Sequence, residues 1–270
     1  DLEVASGHRT RVRVDGQEVR RAADALGVLR VVLFAPEDVA LVRGDPSERR
    51  RFLDDVLAQR RPAFAAARSD YERVLRQRNQ LLKQLRTLDR GARSAAGPTL
   101  ETWTDQLVHH GASVVAARLA GVAALAGPVD ATYRALADRP ERVAVRYRSS
   151  AGASLFENGA AGGGVDRAAV VQQLSDGLAA AADDERRRGV TLVGPHRDDI
   201  ELEIGRLPAR NYASQGEAWS LAVSLRLATY DLLAEVGERP VVLLDDVFAE
   251  LDDRRRRHLA QACARWDQVL

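Results

Sequence analysis

Two short stretches carry the residue types that chemistry needs. The first is Val241-Val242-Leu243-Leu244-Asp245-Asp246, four aliphatics closing on two adjacent carboxylates. An aliphatic run of this length, bounded by Pro240, predicts a fully buried strand. In parallel sheets ligands collect at the carboxyl edge of the strands, where Asp245 and Asp246 fall. Two carboxylates side by side in a low-dielectric site call for a cation or a shared proton. Mg²⁺ against the phosphates of a nucleotide meets that need, with the second carboxylate facing an attacking water. A solvated acidic turn is the plain alternative, and on this stretch alone the two readings stand level. The second stretch is Ser214-Gln215-Gly216-Glu217, at the head of an apolar run to about Glu235. Ser214 and Glu217 have capping-box spacing. A serine and a glycine there also present backbone N–H groups and the positive end of the helix dipole to an anion. Gly216 lets a phosphate approach the backbone.

Both stretches need a scaffold, and strand signals flank a long helical middle. Arg9–Val14 alternates strictly before Asp15-Gly16, a hairpin pattern. Val12 and Val14 take the core face; Arg9, Arg11 and Arg13 take the other, either meeting phosphates or guarding a solvated edge. Ala22–Leu29 is a short helix candidate, and Val31–Phe34 a second buried strand. Asp45-Pro46-Ser47-Glu48 has the residues of a capped helix start, with Arg49 and Arg50 in the first turn opposing the dipole. Their partner is an anion, or Asp54 and Asp55 nearby. Residues 63–88 read as an amphipathic helix with Arg73, Arg76, Arg78 and Arg86 off its leucine stripe; solvation is the bland reading and DNA or partner contact the sharp one. A loop over 91–98, a helix from about Leu100 broken at Gly127-Pro128, and a short helix to Ala137 follow. Val143–Tyr147 reads as a strand, 152–164 as a glycine-rich loop, and Asp166–Arg188 as a helix ending in a frayed basic turn. Thr191–Val193 and Ile200–Ile204 are strand signals around Gly194-Pro195-His196-Arg197-Asp198-Asp199. The expected division is 1–43 with 189–270 as a discontinuous β-containing lobe, and 44–188 as a mostly helical lobe.

Composition narrows the function class. The chain has 270 residues, 46% hydrophobic and 29% charged, which is globular usage. No window approaches the roughly 20 uninterrupted apolar residues of a membrane span; the best, Ala112–Ala126, carries Arg118. A single cysteine, Cys263, rules out an internal disulfide and suits a reducing cytoplasm. A formal charge of +1 says nothing for or against nucleic acid. Lys83 is the only lysine, and Leu82 precedes it, so the Gly-Lys pair of a phosphate-binding P-loop is absent from these residues. Asp1-Leu2-Glu3-Val4 reads as the middle of a strand. The expectation is a partial chain whose P-loop and C-terminal tail lie outside it.

Taken together, the motifs resemble those of ABC-type ATPases. Leu243–Asp252 is similar to their Walker B and D-loop, and Ala213–Glu217 to their signature motif. More narrowly the chain resembles the RecF family of bacterial recombination mediators. Pro36-Glu37-Asp38 through Arg43-Gly44-Asp45-Pro46 to Asp54 is similar to that family's first signature, Leu243–Leu259 to its second, and Gly194–Asp199 is also of its kind. The resemblance implies an α/β fold: an ATPase head with a mixed-sheet lobe and an inserted helical lobe.

It further implies ATP and Mg²⁺, with Asp245 holding the metal and Asp246 polarising the attacking water. Ser214, Gln215, Gly216 and Glu217 would serve the nucleotide of a partner subunit, Asp252 would lie across the dimer interface, and Glu37 stands where a Q-loop glutamine is expected. An Asp where most ABC proteins carry Glu implies slow hydrolysis. The implied role is recombinational repair, replication restart and the SOS response in the cytoplasm. Single- and double-stranded DNA, RecR- and RecO-type mediators and a second copy of the chain are the implied partners. Arg9, Arg11, Arg13, Arg73 and Arg76 are the candidates for DNA. An SMC-type chromosome-organising head, a transporter subunit and a non-hydrolysing DNA-binding scaffold are the alternatives.

Overall fold

The computed structural model describes residues 2–3, 11–14, 16–19, 25, 27–137, 141–152, 165–237, 239–247, 253–264 and 266–270. Its first elements are β1 (Leu2–Glu3), β2 (Arg11–Val14), β3 (Gln17–Val19), β4 (Val31–Phe34), a 3-10 turn (Pro36–Val39), α1 (Ala40–Arg43), α2 (Pro46–Arg60), α3 (Pro62–Leu85), α4 (Arg90–Ala95) and α5 (Gly97–Leu136). Then come β5 (Val143–Arg148), α6 (Arg167–Arg188), β6 (Asp199–Ile204), β7 (Leu207–Pro208), α7 (Ala209–Tyr212), α8 (Gln215–Ala234), β8 (Val241–Leu244) and α9 (Asp253–Cys263). The chain divides into two compact units. Unit 1 comprises 1–65, 124–145 and 202–270; unit 2 comprises 66–123 and 146–201. The expected boundaries at 43 and 189 differ, because α2 packs on α8 and on α1 within unit 1.

In unit 1 the hairpin forms as its alternation predicts. Val12 faces Val19 and Val14 faces Gln17, with Gly16 at φ +79 in the turn. β4 pairs in parallel with β8, Val31 against Val241 through Phe34 against Leu244. Only Val242 of β8 is fully buried; its neighbours are half-buried, so the expected all-round burial is not met. Apolar α8 packs on β4, the 3-10 turn, α1 and α2, as a helix with Leu221, Ala222, Ala228 and Leu233 at full burial must. Trp266 seals one side, its ring 5.6 Å from Phe34 and 5.4 Å from Tyr230.

Several helix expectations are corrected. Residues 90–95 form a helix rather than a loop, because Asp89 caps it by accepting from Ala92 N at 2.9 Å. α5 runs straight through Gly127-Pro128. Both residues are exposed, so the rung that proline removes is lost where water replaces it. By length and composition α5 could cross a membrane. Yet Arg118 in its middle is buried and donates to the Pro195 carbonyl, as in a core helix. The end of α6 is not frayed: Gly189 takes the left-handed conformation and its N–H returns to Glu185 O at 2.7 Å.

In unit 2, Thr191–Val193 is not a strand. Its amides go to side chains instead: Thr191 N to Asn79 Oδ1 at 2.7 Å and Leu192 N to Glu185 Oε1 at 2.8 Å. Glu185 and Arg78, both buried, pair at 2.7 Å, and Arg78 also donates to Thr191 and Thr104. This network ties α3, α5 and α6 to the turn that follows.

Candidate functional site

At the carboxyl end of β8 the Asp245 amide donates to Phe34 O at 2.9 Å, extending the parallel ladder by one rung. Both carboxylates are exposed, so the cost of burying two like charges does not arise here. Asp246 has φ +48, the only non-glycine residue in the left-handed region among those described. That conformation costs an L-residue on the order of 1 kcal/mol and concentrates at functional turns. Val247 beyond it is buried and pins the far side. The sequence marks Asp246 by type alone; the backbone strain was not legible in it.

The Ser214–Glu217 helix start forms as its spacing predicts. Ser214 Oγ accepts from Glu217 N at 3.3 Å, and Glu217 Oε2 accepts from Ser214 N at 2.8 Å. The first ladder bond runs from Ala218 N to Ser214 O. Gln215 and Gly216 are therefore the first-turn residues whose amides lie outside the helical ladder, the geometry that suits an anion.

The stretch from Pro36 to Asp54 buttresses this helix. Asp38, in the 3-10 turn after β4, accepts from Arg226 Nε at 3.0 Å and from Nη2 at 2.5 Å. It also accepts from Ala35 N at 3.1 Å. The Arg226 guanidinium stacks over Phe52, 5.2 Å from the ring centroid. Arg43 Nη2 donates to Ala213 O at 2.9 Å, just ahead of Ser214. Asp45 sits at the N-cap position of α2 but makes no cap bond; its carboxylate pairs with Arg210 at 2.9 Å. Arg49 is buried and donates to Gly44 O, closing α1, so it does not await an anion. Sequence reading missed the Asp38–Arg226 pair. Its signal was available: Arg226 is the only cation in a 20-residue apolar helix, and such a charge needs a partner. Glu37 is exposed beside buried Asp38 and takes no part in this clamp.

Gly194–Asp199 lies in unit 2 as a turn held from inside. Gly194 has φ +134, and a Cβ there would stand 2.6 Å from Tyr71 Oη. His196 Nδ1 meets Tyr71 Oη at 2.6 Å while Nε2 faces the Thr191 carbonyl at 3.1 Å. Nε2 must donate to that carbonyl, so Nδ1 accepts from the tyrosine. Asp198 accepts from Tyr147 Oη at 2.5 Å and from Ser150 N and Oγ, each at 2.7 Å. Burial pushes the Asp198 carboxyl above its ordinary range, against the opposing pull of Tyr147, Ser150 and Arg118. Burial likewise raises both tyrosines, with the Asp198 charge adding to it. His196 is thus committed to the turn; Arg197 alone of the motif is exposed.

Asp252, Arg9 and the Arg11 side chain lie outside the described residues. Arg13 is exposed across from Glu18. Arg73 is exposed and pairs with Asp70 at 3.0 Å, and Arg76 is exposed on α3.

No family model matches the chain. Its mixed helix and sheet, with a carboxylate-ended parallel strand and a capped helix start, is the fold class of an ATPase head. The likeness is to RecF in particular. The whole chain matches the recombination mediator protein RecF-ATPrS of the RecFOR pathway, with a TM-score of 0.87 and 26% identity over 69% of that chain. RecF-ATP of the same pathway matches the whole chain with a TM-score of 0.86 and 26% identity over 68% of its own length. The head domain of an Smc protein from Pyrococcus furiosus matches more loosely, with a TM-score of 0.42 and 14% identity over 97% of this chain and 61% of that one. The chain is RecF-like throughout and spans about two thirds of RecF.

Proposed function

We propose that the full-length protein carrying this chain is a RecF-like, ATP-dependent DNA-binding protein of recombinational repair. ATP joins two copies on DNA, and slow hydrolysis releases them. The observation that carries this reading is a carboxylate-ended strand and a Ser-x-Gly helix start in one unit of a chain that matches RecF-ATP over its full length.

Asp245 fits Mg²⁺. That ion takes one or two carboxylates plus phosphates and waters rather than an all-protein cage. Asp245 is exposed at the carboxyl end of β8, where it could supply one such carboxylate. When bound, the ion neutralises phosphate charge. Asp246 orients the attacking water from its strained turn. Ser214, Gln215, Gly216 and Glu217 meet the γ-phosphate of ATP held by the second copy, through the Ser214 hydroxyl and the first-turn amides. Asp252 lies across that interface, and Glu37 takes the Q-loop position. Arg9, Arg11, Arg13, Arg73 and Arg76 contact DNA phosphates without reading sequence. RecR- and RecO-type mediators are the protein partners, in the cytoplasm, within replication restart and the SOS response.

Asp246→Gly tests the assignment in the full-length protein. Glycine adopts φ +48 without steric cost, so the melting temperature holds or rises. Hydrolysis of ATP falls by roughly a hundredfold if Asp246 positions the water. Wild-type turnover in that variant removes Asp246 from the chemistry.

A further inference from the structure

Unit 2 carries a cavity of about 650 Å³ that the proposed nucleotide chemistry does not use. Its floor is apolar. Leu85 of α3 and Leu100 of α5 line it, and both belong to a small core with Leu82 at this end of the helices. Its rim is cationic. Arg86, just past α3, lines it together with Arg186 and Arg187 from the last turn of α6. The two helix ends meet because Gly189 closes α6 directly on α3. A Cβ there would stand 2.7 Å from Arg86 Cδ and 3.5 Å from Lys83 Cα. Among the described residues no carboxylate lines the cavity. Asp183 and Asp184 pair with Arg186 and Arg187 one turn back along α6, without lining it. Those arginine side chains are 57% and 74% exposed, so the pairs are weak and yield to a better-placed anion. Helix dipoles account for cations at two C-termini, but not for a leucine floor between them.

We infer that this cavity docks an acidic segment of a partner protein. The segment seats a bulky apolar side chain on Leu85 and Leu100 and lays carboxylates on Arg86, Arg186 and Arg187. An apolar centre inside an arginine rim is the anatomy of a protein–protein contact. Guanidinium forks hold carboxylates in two-pronged pairs, which fixes the sign and the chemistry of the partner. A nucleic-acid strand fits less well. Single strands bind on aromatic platforms, and no aromatic side chain among the described residues lines the cavity. An aliphatic floor offers a phosphate nothing. The contact lies within unit 2 and needs neither ATP nor a second copy, so it goes beyond the proposed function and does not depend on it.

The experiment uses the full-length protein without ATP and a fluorescein-labelled peptide of glutamates flanking a Leu-Phe pair. Anisotropy should report a dissociation constant on the order of 10 μM. Exchanging the Leu-Phe pair for serines, or the glutamates for glutamines, should weaken binding by about tenfold. Gly97 probes the cavity itself. It lines the wall, and a Cβ there meets no atom within 4 Å. It also opens α5, where the helix dipole favours an acid. Gly97→Glu therefore keeps the melting temperature and weakens the peptide about tenfold, whereas Gly97→Gln weakens it only about threefold. R186Q/R187Q keeps the side-chain stems, removes two charges and weakens the peptide by about tenfold. A wild-type protein that does not bind the peptide overturns the inference. So does binding that Gly97→Glu and R186Q/R187Q leave unchanged. Equal losses with Glu and Gln at position 97 overturn the acidic assignment, since space alone would then be read. Unlabelled single-stranded or duplex DNA should not displace the peptide. Displacement as effective as that by unlabelled peptide makes these arginines a nucleic-acid surface and overturns the protein partner.

Discussion

Single residues here show how burial decides what a charged group does. Asp245 and Asp246 are exposed, whereas Asp198 is 1% exposed and spends both oxygens on Tyr147 and Ser150. The pH behaviour of Asp198 follows from its raised pKa. Between the ordinary carboxylate value, about 4, and the raised one, the folded state holds more protons than the unfolded state. Stability from this group is therefore present at acid pH and is lost as pH rises through that window. Asp198→Asn cannot titrate, so urea melts at a series of pH values should show wild type losing ground to it from pH about 4 upward. Asp198→Ala orphans three donors and costs about 3 kcal/mol. A pH-independent difference between wild type and the Asn variant would contradict the raised carboxyl.

Elements were more legible than the contacts between them. Ile200–Ile204 alternates and is a strand; the apolar run after Ser214 is a helix whose cap is visible in two residue types. These signals are local, and local geometry honours them. Thr191–Val193 carries a strand signal and is not a strand, because its amides are taken by Asn79 and Glu185, 112 and 7 positions away in sequence. No local window of sequence contains the Asn79 half of that competition. The same holds for the site: Asp245 and Ser214 were readable from type and spacing, while the clamp between them depends on Asp38 meeting Arg226 across 188 positions. Arg78 shows the energetic weight of such long-range bonds. Its side chain is 4% exposed, its partner Glu185 is 1% exposed, and three elements meet on it. Arg78→Ala leaves a buried carboxylate unpaired and should cost about 3–5 kcal/mol. Replacing both residues by Met and Leu should cost clearly less, since no uncompensated charge remains. Equal losses in the single and double variants, by denaturant titration, would show that the pair's charge is not what matters.

At the scale of the chain, the proposed DNA contact turns on where charge is placed, since the net charge itself says nothing for or against it. The formal charge is +1 over 270 residues, so attraction to phosphate must come from local groups of arginine rather than the overall field. Arg73 and Arg76 are exposed on one helix, one helical turn apart. Arg73 gives up little by leaving Asp70, since an ion pair this exposed is worth at most about 1 kcal/mol. Binding of each phosphate releases condensed counterion, and log affinity falls with log salt by about 0.9 per phosphate on duplex DNA. Changing both arginines to Ala should therefore flatten that slope by up to about 1.8 while affecting all sequences alike. Arg49→Ala is the matching control, because that arginine is buried on Gly44 and should leave the slope untouched at the expense of stability. Anisotropy titrations of a labelled duplex between low and moderate salt measure both. An unchanged slope in the double variant removes Arg73 and Arg76 from the DNA surface and leaves Arg13 on β2 as the arginine to test next.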